Sequence, residues 1–209
     1  MIFLIELALF IMTGLLIFHA IRSRSAQFAL FFWQAGMVLG LLREVAMAKL
    51  SGLYTYGDFI LTIGPVPFAM LLLWPNLAYI SWEWANNYLG KEYFHERAMG
   101  QHLPLIFLTM MLASFLFESL FHQFQLIQWT LDPAIPIMLG SVPLLAPFAY
   151  GFTGLVFIKT FKILWNRPGE SRFSVLTKLI LVQPIGVLII MGLLMITNLL
   201  IVLIFIDKM

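Results

Sequence analysis

The sequence contains no cysteine, which excludes disulfides, thiolate nucleophiles and cysteine-held iron–sulfur clusters. Charge is scarce as well: 11% of the 209 residues are charged, against about 25% in an average soluble domain. A net charge of +2 with no basic stripe offers a phosphate backbone no track, so nucleic acid is not expected as a partner. A glycine-rich phosphate loop, a serine–histidine–acid arrangement, an HExxH pair and a haem-binding histidine pair are also missing. Phosphoryl transfer and haem electron transfer are therefore disfavoured, and no metal or cofactor is expected.

What is present is apolar surface, with 62% of residues hydrophobic, more than one small soluble core can hide. The bilayer is the natural solvent for it. Its hydrocarbon layer is about 30 Å thick, so a spanning helix needs about 20 mostly apolar residues. Runs near 2–21, 27–48, 59–88, 103–122, 134–158 and 176–206 qualify. They predict an all-α, polytopic integral membrane bundle of about six transmembrane helices, in one domain over 1–209. The first run lacks a basic n-region and a small-residue cleavage site before Arg22, and it reads as a retained helix. The last is long enough to tilt, or to break at Pro184.

Basic residues set the expected orientation. The odd-numbered connections hold Arg22, Arg24, Lys91, Arg97, Lys159, Lys162, Arg167, Arg172 and Lys178, whereas the even ones and the tail hold Arg43, Lys49 and Lys208. The positive-inside rule makes the odd connections cytoplasmic in a bacterial or archaeal cell membrane. Glu6, Glu44, Asp58, Glu118 and Asp132 then fall toward the other side, where a site should open. Trp82-Glu83-Trp84 reads as an interfacial anchor.

Glu44 carries the most weight among the acids. Gly36, Gly40, Glu44 and Ala48 recur every four residues, on one helix face, and two glycines at that spacing let another helix approach. Glu44 should face protein, where desolvation favours its neutral form; pairing with Arg43 or Lys49 at the membrane surface is the plainer reading. Ser114, Glu118 and His122 form a second ridge at the same spacing, read first as an interfacial hydrogen-bonded pair and only second, without an HExxH pair or a second histidine at ligand spacing, as metal ligands together with Glu44 or Asp132. Asp132 before Pro133 is first a helix N-cap, which does not preclude a catalytic role.

A weak repeat links about 44–88 with 118–165. Gly64-Pro65-Val66-Pro67 with Trp74 matches Gly140-Ser141-Val142-Pro143 with Tyr150, and Asp58 or Asp132 precedes each copy. Duplication and chance both remain open; duplication would place a site between the copies.

Glu44 after a glycine-bearing helix, Gly52-x-Tyr54-x-Tyr56, a proline-containing span with Trp74, Trp129-Thr130-Leu131-Asp132-Pro133 and the segment Gly140 to Gly154 occur in this order. In these elements, over about residues 36–158, the chain resembles the membrane carotenoid biosynthesis family that includes carotenoid 1,2-hydratases. The link from Glu44 to Gly52 is a few residues shorter than in that family, and so is the chain. The resemblance implies a membrane enzyme that adds water across a terminal C=C bond of a lipophilic isoprenoid or carotenoid. Such chemistry needs a neutral carboxylic acid as proton donor and aromatic faces for the carbocation. It implies catalytic roles for Glu44 and Asp132, one donating the proton and the other orienting water, with Tyr54, Tyr56, Asp58, Trp74, Glu118, His122 and Trp129 around the substrate. A membrane terpene cyclase uses the same parts without water, and a small transporter or membrane assembly subunit with proline-broken helices is the alternative from another class.

Overall fold

Apolar runs long enough to satisfy their own backbone become helices, the economical solution in hydrocarbon. The computed structural model of the chain describes residues 2–92, 100–130, 138–139 and 142–206. Its helices are α1 (Ile2–Ser23), α2 (Ala26–Glu44), α3 (Phe68–Leu89), α4 (His102–Gln123), α5 (Leu145–Trp165), α6 (Arg172–Leu181) and α7 (Gln183–Ile206). A π-helical turn, Val45–Leu50, prolongs α2. Among the described residues, five spans are long and apolar enough to cross a membrane: α1, α2 with its π turn, α4, α5, and α6 with α7. The protein is an integral membrane helical bundle. The expected break near Pro184 is the step from α6 to α7 at Val182, which leaves the proline in a first helical turn, where its missing N–H costs little.

The sixth apolar run becomes α3, which has 22 residues yet is not among the five strongly apolar spans. Its surroundings explain this. Every residue from Ala69 to Tyr79 is buried, so the helix meets protein and can carry polar side chains that lipid would penalise. Trp33 Nε1 donates to Asn76 Oδ1 at 2.9 Å, and Asn76 Nδ2 donates to Thr13 Oγ1 at 2.7 Å, a buried link across α2, α3 and α1.

Two expected boundaries are corrected, and both corrections have the same cause. Residues 59–67, and residues 138–139 and 142–143 of the fifth run, are apolar without being helical. Thr62–Ile63 (β2) pairs with Val66–Pro67 (β3), and Met138–Leu139 (β5) pairs with Val142–Pro143 (β6), each a short hairpin before a helix. Pro65 and Pro67 have no N–H for a helix interior, and Gly64 adopts φ 58°, a conformation suited to a turn. Ahead of them Tyr54–Tyr56 (β1) pairs antiparallel with Ile127–Trp129 (β4), with Tyr54 opposite Trp129 and Tyr56 opposite Ile127. The order strand, hairpin, helix therefore occurs twice, as β1 to α3 and as β4 to α5.

The glycines of α2 set the central packing. A Cβ on Gly36 would lie 2.7 Å from Pro75 Cβ, and one on Gly40 would lie 2.7 Å from Trp74 Cδ1, so α3 can lie this close to α2 only because these positions are bare. At the end of the bundle away from the ribbon, Arg24 bridges Glu92 and, at 3.3 Å, Glu83, and lies over the Trp82 ring. The expected Trp82-Glu83-Trp84 anchor is corrected in part: Trp82 is fully buried, whereas Trp84 is exposed and stacks on Tyr88.

Candidate functional site

The two-stranded ribbon β1–β4 covers one end of the bundle, and beneath it lie two buried acids, Glu44 and Glu118. Side chains alternate along a strand, so Tyr54 and Tyr56 share one face of β1 while Thr55 is exposed. Ile127 and Trp129 share a face of β4 in the same way, with Gln128 exposed. Bonds from Thr130 N to Leu53 O (2.8 Å) and from Gly57 N to Leu126 O (3.0 Å) extend the ribbon and hold its register.

Glu44 ends α2 as an acceptor with every position filled. Its Oε1 receives Trp74 Nε1 at 2.8 Å and Arg43 Nη1 at 2.5 Å, and its Oε2 receives the hydroxyls of Tyr54 and Tyr56. Four donors, one of them cationic, suit a carboxylate, which only accepts. Burial and the nearby Glu44 charge hold the Tyr54 and Tyr56 hydroxyls well above the ordinary tyrosine value of 10.0. Arg43 lies with Cζ 3.9 Å from the centroid of the Trp74 ring and 5.7 Å from that of Tyr150. A buried ion pair is tolerable only when further hydrogen bonds satisfy it, and the tyrosines and the indole supply them on the acid side.

Glu118 is built differently. It projects inward from α4, five residues before Gln123 and so about 7 Å from the helix end. Tyr150 of α5 donates to its Oε1 at 2.8 Å, while its Oε2 is buried without a partner. The equivalence between the two halves is close here. Trp74 stands seven residues after Pro67 and serves Glu44; Tyr150 stands seven residues after Pro143 and serves Glu118. The two rings touch, with centroids 4.7 Å apart. Between the acids the side chains of Arg43, Tyr54, Trp74, Trp129 and Tyr150 enclose a cavity of ≈ 20 Å³, room for about one water molecule.

Of the residues expected at a site, the fold brings together Glu44, Tyr54, Tyr56, Trp74, Glu118 and Trp129. It does not bring Asp58 or His122, both of which are exposed. The ridge Ser114, Glu118, His122 stops short of its last member: Ser114 and Glu118 are buried, whereas His122, one residue before the end of α4, is exposed. Ser114 is buried but bonds its own helix at Met111 O. Asp132 lies outside the described residues. Arg43 and Tyr150 join the site without being marked as site residues by the sequence. Arg43 adjoins Glu44, and Tyr150 stands opposite Trp74 in the repeat, so the repeat was the signal that would have found it.

Glu6, the remaining buried acid of this end, accepts Ile60 N and Leu61 N at 3.3 Å and ties the loop after β1 to α1. Among the described residues no group of three or more histidine, aspartate or glutamate side chains is placed to hold a metal. No family model, curated protein or solved structure matches the chain.

Proposed function

We propose that the protein is a membrane enzyme that hydrates a terminal double bond of an isoprenoid chain, in line with the family its sequence resembles. The observation that carries this reading is the unequal pair of acids. Glu44 has all its positions filled, whereas Glu118 has one oxygen unoccupied on a cavity walled by aromatic rings. The proton-donor role, expected for either Glu44 or Asp132, is assigned to Glu118, and Glu44 becomes the fixed anion that balances Arg43.

In this scheme the neutral Glu118 carboxyl gives its proton to the terminal alkene carbon. The π electrons form the new C–H bond, and the neighbouring carbon becomes a tertiary cation. The faces of Tyr54 and Trp129 stabilise that cation. A water oxygen bonds to it and releases a proton to the Glu118 carboxylate, which restores the acid. One alkene and one water give one tertiary alcohol. Asp132 keeps the role expected of the second acid, orienting the water that adds.

The alkene needs more room than the cavity has, so the ring wall must open for it. Phe117 and Phe121, the neighbours of Glu118 on α4, line an apolar groove of ≈ 310 Å³ against Leu4, Ile5 and Leu9 of α1, a route for a chain arriving from the bilayer. Below the site the interior is filled by Phe32, Trp82, Phe157 and Phe161, a packing that suits an enclosed reaction better than a path across the membrane. With the odd connections cytoplasmic, the site opens on the other face.

The test is to express the chain with acyclic carotenoids, extract the lipids and measure masses. Gain of one water by the substrate is expected, and its loss in Glu118→Gln and in Asp132→Asn with the proteins still folded. An isomer of unchanged mass that has lost one C=C bond indicates cyclisation instead. No change in any isoprenoid tested, or full activity in Glu118→Gln, overturns the proposal.

A further inference from the structure

Arg43 Nε, Glu118 Oε2 and Trp129 Nε1 are buried polar atoms without a hydrogen-bond partner, and all three side chains wall the same ≈ 20 Å³ cavity. Folded interiors satisfy nearly all such atoms, and each exception calls for a physical reason. These three come from α2, α4 and β4, elements that meet only in the folded bundle. The Trp129 indole N–H lies close enough to Glu118 to act on its carboxyl as a hydrogen-bond donor would, yet its geometry falls short of a direct bond, and an oxygen between the two would satisfy both.

The complement of the three atoms is specific. Arg43 Nε and Trp129 Nε1 can only donate, and Glu118 Oε2 is a carboxyl oxygen. A ligand that accepts two hydrogen bonds and offers one O–H is a water molecule or an alcohol hydroxyl. A metal ion would face two fixed N–H donors, and an inorganic anion would face two carboxyl groups. The cavity volume lies just above the minimum of about 10–15 Å³ for one water.

We infer that Arg43, Trp129 and Glu118 form the site of the reacting oxygen: water poised before addition and the hydroxyl of the alcohol afterwards. The site itself stands on the three atoms; its part in catalysis rests on the hydration reading. Arg43 and Trp129 then decide the fate of the cation. With the oxygen held, it bonds to the tertiary carbon and passes its proton to Glu118. Without it, the cation loses a proton from an adjacent carbon to the same carboxylate, giving an alkene isomer of the substrate's mass.

Trp129→Phe is the informative variant, because it keeps an aromatic ring against Tyr54 while removing the N–H donor together with the second ring of the indole. The ratio of alcohol to alkene isomer should fall by about tenfold, whatever happens to the overall rate, and an unchanged ratio overturns the inference. An experimental map that resolves ordered water supplies the second measurement, on the wild-type chain without substrate. A peak within hydrogen-bond distance of all three atoms, weakened in Trp129→Phe, is expected; absence of the wild-type peak overturns the site even in an active enzyme. A peak in a protein that converts no isoprenoid leaves the oxygen site standing and removes the hydration reading.

Discussion

The rings of Trp74 and Tyr150 meet at 4.7 Å, yet each donates its hydrogen to a different carboxyl group, Trp74 to Glu44 and Tyr150 to Glu118. Two acids with unlike partners are thus joined through one aromatic contact.

That difference separates two chemically identical substitutions. Tyr54→Phe removes one of four donors from Glu44, whereas Tyr150→Phe removes the single bond of Glu118. An acceptor left with nothing costs about 1–3 kcal/mol, so Tyr150→Phe should lower the unfolding temperature in detergent more than Tyr54→Phe does. Equal shifts would show that the two carboxyls are served alike.

Gly40→Ala should damage both stability and conversion. Its Cβ would stand 2.7 Å from Trp74 Cδ1, and overpacking of that kind costs about 1–3 kcal/mol while pushing the indole away from Glu44. Gly14→Ala is the control, because nothing lies within 4 Å of a Cβ there. Thermal unfolding of the two variants should differ, with Gly14→Ala close to wild type.

Alkaline pH offers a test of the ribbon. Tyr54 and Tyr56 hold their protons well above the ordinary value of 10.0, first through burial and then through the Glu44 charge. The unfolded chain loses those protons near 10 while the folded one keeps them, so the folded state binds more protons and stability falls as pH rises. Unfolding temperature should drop above pH 10 in the wild type and drop less steeply in Tyr54→Phe with Tyr56→Phe. Phenolate absorbance reports whether the two hydroxyls ionise only as the fold opens.

His122→Ala and Asp58→Asn should leave conversion within about twofold of wild type, as expected for surface positions outside a buried network. Loss of conversion in either would return that side chain to the site.

The existence of most helices was legible because runs of this length have no other use in a 209-residue chain. The face Gly36, Gly40, Glu44 was legible too, since four-residue spacing survives folding intact and the bare glycines admit α3. The hairpins β2–β3 and β5–β6 were not, because a short apolar run has the same hydropathy as strand or as helix and only its prolines distinguish the two. Nor was the pairing of β1 with β4 legible, as residues 54 and 129 are brought opposite one another by two intervening helices. Arg43 was misjudged for a related reason: it is a surface partner on a lone helix and becomes a buried one once Trp74 and Tyr150 close over it.

The ribbon β1–β4 also makes the site intolerant of small changes in loop length. Its roof depends on alternation, with Tyr54 and Tyr56 directed at Glu44 while Thr55 stays outside. One inserted residue ahead of either strand exchanges its inner and outer faces. Shifted in this way, Thr55 or Gln128 would hang over the acids, and the phenols or the indole would point to the exterior. Parity, more than composition, is what these two connections must keep.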